Sequence, residues 1–69
     1  MGEIAKLTKR EIEVVQLIAQ GKDRKKIADE LNVSIHTVDT HIRHIHVKTN
    51  THSLTEVMVW SLSQINQEH

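Results

Sequence analysis

The sequence predicts an all-α fold, a bundle of four short helices around one small core with a helix-turn-helix in its middle. Three observations predict it. The 69 residues contain no proline, two glycines and one aromatic residue, Trp60, a composition that lacks the aromatic alternation of sheet proteins. Apolar residues recur three and four apart in four separate stretches. Each stretch follows Thr8, Asp23, Ser34 or Ser53, whose side-chain oxygens suit helix N-termini. A chain of this length forms one domain and buries only about 60% of the surface it exposes when unfolded, so its stability is modest.

Residues 1–6 show neither cap nor period and read as a leader, from which Ile4 and then Leu7 reach the core. Thr8-Lys9-Arg10-Glu11 is a capping box that opens a first helix over about 9–20. That helix carries Val14, Val15, Leu17 and Ile18 and stops at Gly21, which adopts a left-handed backbone without penalty. Asp23 caps a second helix over about 24–31, with Ile27, Ala28 and Leu31 on its inner face. Asn32 tolerates the left-handed conformation that ends it, Val33 turns inward, and Ser34 caps a third helix over about 35–48. Two helices so closely joined, with a small residue at Ala28 where their axes approach, form a helix-turn-helix. After a polar turn, Ser53-Leu54-Thr55-Glu56 is a second capping box, opening a fourth helix over about 54–66. Leu54, Val57, Met58, Ser61 and Ile65 form its core stripe. Thr55, Val59, Leu62 and Asn66 form a separate one with Trp60 between, and this second stripe reads as a surface for self-association.

The third helix has two unlike faces. Ile35, Val38, Ile42 and Ile45 fall on one stripe, expected to anchor in the core. His36, Thr40, Arg43 and Val47 fall opposite, with Asp39 on one flank and Thr37, His41, His44 and Lys48 on the other. The polar face offers hydroxyls, imidazoles and a guanidinium to a partner, which is what a helix laid in a DNA groove needs.

Composition narrows the function further. Nine Lys and Arg balance nine Asp and Glu, so a nucleic-acid surface must come from local clustering, and Lys22, Arg24, Lys25 and Lys26 make such a cluster. Absence of cysteine rules out disulfides and thiolate metal sites and fits a reducing cytoplasm, the expected location. No apolar run approaches the roughly 18 residues of a membrane span. Four of the six histidines lie in the third helix. His41 and His44 stand one turn apart, but nothing nearby completes a zinc site, so neither metal nor cofactor is expected. No paired nucleophile and no glycine-rich phosphate loop appear, so no enzyme is expected either.

Leu7-Thr8-Lys9-Arg10-Glu11, Leu17-Ile18-Ala19-Gln20-Gly21, Lys25-Lys26-Ile27-Ala28 and Ser34-Ile35-His36-Thr37-Val38, with His41 and Lys48, together resemble the DNA-binding domain of LuxR/NarL-type (GerE-like) bacterial transcription regulators. The resemblance spans roughly residues 7–60. It implies a single domain over residues 1–69 that binds duplex DNA in the major groove and dimerises through its fourth helix, with Thr55, Val59 and Leu62 at the interface. It also implies the C-terminal position in a longer regulator, behind a receiver or ligand-sensing domain. By position, Thr37, His41 and Lys48 would face the DNA backbone, and Asp39, Thr40 and Arg43 base edges. His36 shares the base-facing side, and Lys25 joins the phosphate donors. Arg43 has the chemistry to donate to guanine O6 and N7, and Thr40 to meet a thymine methyl. This sequence departs from the family at Asp39, where lysine is usual, at Leu54, where many members have arginine, and at Thr49 and Thr51, which replace apolar residues. The competing expectation is a helix-turn-helix that mediates protein contacts with weak or no DNA affinity.

Overall fold

A computed structural model of the chain describes residues 7–66, with the side chains of residues 65–66 left aside. The expectations for Ile4, and for the side chains of Ile65 and Asn66, therefore lie outside the described residues. Four helices follow in order: α1 (Lys9–Ala19), α2 (Arg24–Leu31), α3 (Ile35–Thr49) and α4 (Leu54–Asn66). No strand occurs among the described residues.

The caps explain the boundaries. Thr8 Oγ1 accepts from the Glu11 amide at 3.1 Å, and Glu11 Oε1 accepts from the Thr8 amide at 3.0 Å, closing the first box. At the far end of α1 the Lys22 amide donates to Leu17 O and the Gly21 amide to Ile18 O, with Gly21 at φ +89°. These are the paired bonds of a Schellman turn, which satisfy carbonyls the helix leaves open. Asp23 Oδ1 takes the Lys26 amide at 2.9 Å to start α2, and Asn32 at φ 59° ends it. Ser34 Oγ takes the Thr37 amide at 3.1 Å to start α3, and Asn50 at φ 58° ends it.

The box before α4 closes differently from the expectation. Ser53 Oγ accepts from the Glu56 amide at 3.1 Å, but Glu56 Oε1 takes the His52 amide, one residue further back, at 2.6 Å.

α1 packs against both α4 and α3, and α2 lies on α3. Leu7, Val14, Val15, Ile18, Ile27, Ala28, Val38, Ile42, Ile45 and Val57 form the buried core, with Leu17, Leu31, Val33, Leu54, Met58 and Trp60 packed around it. Fully burying a valine, leucine or isoleucine of this core is worth about 1.5–3 kcal/mol, and Val38, Ile42 and Ile45 hold α3 down along one side. Ile35 is a correction to the expected stripe: it remains 45% exposed. It is the first residue of α3, and the stripe passes beyond the edge of the core before reaching it.

Candidate nucleic-acid interface

Core burial of Val38, Ile42 and Ile45 turns the opposite side of α3 outward. His36 and Arg43 are exposed there, and Val47 is the most open large apolar side chain among the described residues, 78% exposed. Thr40 is half-buried, and its Oγ1 donates to His36 O at 3.2 Å, which engages the hydroxyl proton within the helix.

The flank toward α1 is organised by Glu11, a carboxylate only 3% exposed. Lys48 Nζ donates to Glu11 Oε1 at 2.8 Å, and His44 Nδ1 stands 3.7 Å from Oε2. Burial by itself would raise the Glu11 carboxyl. The Lys48 and Thr8 hydrogen bonds, with the charges of Lys48 and His44, outweigh it and hold the group below its ordinary value of 4.5. Lys48, expected to face phosphate, is thus only 31% exposed in its side chain and is spent on tying the end of α3 to the start of α1. Higher on this flank Thr37 Oγ1 lies 3.0 Å from Ser34 Oγ, and His41 is half-buried.

On the flank toward α2, Arg24 Nε lies 2.7 Å from Asp39 Oδ1. That oxygen is buried and makes no aligned hydrogen bond, so charge attraction, not direction, holds the contact. Arg24, Asp39, Ile42, Arg43 and His46 line an open groove between α2 and α3. Below it His46 Nδ1 is 2.9 Å from Thr51 Oγ1, which is also 2.9 Å from Thr49 Oγ1, while Thr49 donates to Ile45 O at 2.8 Å. Thr49, at the end of α3, and the buried Thr51 just after it thus carry a part-buried polar chain where apolar packing is expected of the family. Desolvation chiefly, with the charges of Arg24 and His52, lowers the His46 pKa below 6.5, against an opposing pull from Glu56.

Of the basic cluster, Lys22 pairs with Glu30 and Arg24 with Asp39. Lys25 and Lys26 stay exposed at the first turn of α2. Among the described residues no three His, Asp or Glu side chains converge as metal ligands would. On α4, Thr55, Val59 and Leu62 are all exposed, Val59 at 60% and Leu62 at 53%. The structure therefore brings His36, Thr40, Arg43 and Val47 together on one face, and adds two pairs that local spacing does not announce, Glu11–Lys48 and Arg24–Asp39. The only sequence signals for them were a carboxylate already assigned to a cap and one arginine within a charge cluster.

Residues 5–61 match the family described as bacterial regulatory proteins, luxR family. The chain belongs to that family. Its similarity to individual luxR-family members is substantial: it is 46% identical over 55 residues to the transcriptional regulatory protein LiaR of Bacillus subtilis, covering 80% of this chain and 26% of LiaR. It is 43% identical over 58 residues to the oxygen regulatory protein NreC of Staphylococcus carnosus, covering 84% of this chain and 27% of NreC. NreC of Staphylococcus aureus is 41% identical over the same length. The chain thus spans about a quarter of the length of these relatives. As a luxR-family helix-turn-helix it falls in the class of DNA-binding transcription regulators, which are not enzymes. No described helix is long and apolar enough to cross a membrane.

Proposed function

We propose that this domain reads duplex DNA by laying α3 in the major groove, as the effector part of a cytoplasmic bacterial transcription regulator. The observation that carries the reading is the outward stripe of α3, with Arg43 and His36 exposed on a helix whose other side is locked into the core by Val38, Ile42 and Ile45. Arg43 donates to guanine O6 and N7, the Thr40 methyl meets a thymine methyl, and His36 and Asp39 border the same base edges. Lys25, Thr37 and His41 donate to phosphates and set register. Lys48 keeps one ammonium hydrogen on Glu11 and offers its remaining donors to a phosphate at the edge of the interface.

Two copies pair through Thr55, Val59 and Leu62 on α4, whose exposure supports the assignment. So few residues make a small interface, so pairing is expected chiefly on DNA, with half-sites about one helical turn, roughly 34–36 Å, apart. A receiver or sensor domain precedes this one in the full regulator, a reading supported by the quarter-length coverage of LiaR and NreC.

The test is selection of bound duplexes from a random-sequence pool, followed by affinity measurements on the winner at several salt concentrations. An inverted repeat whose affinity falls steeply with salt is expected. A folded domain that enriches nothing would mean that this helix-turn-helix serves protein contacts instead.

A further inference from the structure

We infer that Arg24 is a second DNA-contacting arginine, clamping a phosphate at the mouth of the groove between α2 and α3, and that Asp39 is its positioning residue. The inference rests on the DNA reading above. Arg24 opens α2, yet its guanidinium crosses to α3, where Nε lies 2.7 Å from Asp39 Oδ1. One edge of the fork is spent on the carboxylate. The remaining donors are on the terminal nitrogens, on a side chain that is still 50% exposed.

The location suits a phosphate. Arg43 lies one turn beyond Asp39, both lining the same groove, and Lys25 and Lys26 follow Arg24 on the exposed first turn of α2. Arg24 and His46 line the same groove, so the half-exposed guanidinium borders it on the α2 side. A carboxylate standing alone beside the base-facing stripe would repel the DNA backbone. Paired with Arg24 it carries no net charge, and it aims a planar donor of the geometry that phosphate oxygens accept. Because Oδ1 makes no aligned hydrogen bond, the arginine is tethered without being locked and can pivot to the backbone as DNA arrives.

Affinity and salt dependence of the wild type, Arg24→Ala, Asp39→Ala and the double variant, on the selected duplex and on a scrambled one, test this. Circular dichroism confirms that each variant is folded. Arg24→Ala should weaken both duplexes alike and reduce the steepness of log K against log salt by about 0.9, the contribution of one phosphate. Asp39→Ala, although it deletes a negative charge next to DNA, should bind no more tightly than wild type. The double variant should remain as weak as Arg24→Ala. If the double variant instead regains wild-type affinity, Arg24 only shields Asp39 and the clamp is wrong. Tighter binding by Asp39→Ala, or an unchanged salt slope for Arg24→Ala, overturns it equally. A wild type with no salt-dependent binding to any duplex removes the DNA reading itself, and the clamp with it.

Discussion

Glu11 serves the first turn of α1 and the last turn of α3 with one carboxylate, accepting from the Thr8 amide and from Lys48. Hydrogen bonds to charged groups of this kind are worth about 1.5–3 kcal/mol each, so Glu11→Gln should lower stability by about 1–3 kcal/mol in denaturant titration. Its folded pKa is depressed, so the stability it supplies is complete above the ordinary 4.5 and is lost as pH falls through the lower folded value. The acid-unfolding limb should therefore flatten in Glu11→Gln. His46 obeys the same sign: its folded pKa is below 6.5, so unfolding takes up a proton, and stability declines as pH drops below 6.5 toward the folded value. Thermal melts of His46→Gln across that range should show a shallower decline than wild type. At the interface, Arg43→Ala should cost about 1–3 kcal/mol on the preferred duplex and relax discrimination at one base pair. Lys25→Ala should weaken all sequences to a similar degree. Equal losses for Arg43→Ala on specific and random DNA would refute its assignment to base edges.

At the scale of elements, each helix of this chain is too short to persist alone, so the ends and the packing decide its existence. The Schellman turn after α1 is the clearest case. Gly21 holds φ +89°, and a Cβ built there would meet nothing within 4 Å, so replacing it costs backbone strain alone. Gly21→Ala should lower stability by about 1–2 kcal/mol, the left-handed penalty of an ordinary residue, without altering the preferred DNA sequence. Asn32 and Asn50 hold the same conformation at the ends of α2 and α3, the residue type that tolerates it next best after glycine. These three stops set the lengths that let α3 extend past the core and present a face four turns long.

At the scale of the whole molecule, the two surfaces proposed to bind lie on different helices. α3 carries the outward polar stripe proposed to meet base edges, and α4 an exposed apolar patch around Val59 and Leu62. If the patch joins two copies on DNA, Val59→Asp should weaken binding to a paired site far more than to a single half-site. Parallel losses on the two probes would place the dimer contact elsewhere. Net charge of zero is no obstacle to this function, because the two acids flanking the outward face of α3 are each paired with a base, Asp39 with Arg24 and Glu11 with Lys48. The exposed Lys25, Lys26 and Arg43 then dominate the local field.

Helix number, helix ends and the choice of which side of α3 meets the core were all legible in the sequence, because each depends on neighbours within one or two turns. Thr8, Asp23, Ser34 and Ser53 cap through bonds to residues three positions on, and Val38, Ile42 and Ile45 share a face by helical period alone. Tertiary structure decided what no local spacing encodes. Ile35 belongs to the apolar stripe by period but lies past the rim of a core that only packing of the other helices defines. Lys48 reaches Glu11 across 37 positions of sequence, and Asp39 meets Arg24 only because α2 folds back on α3. Charge partners at that separation are chosen by how the helices cross, and the crossing follows from burying all four apolar stripes at once.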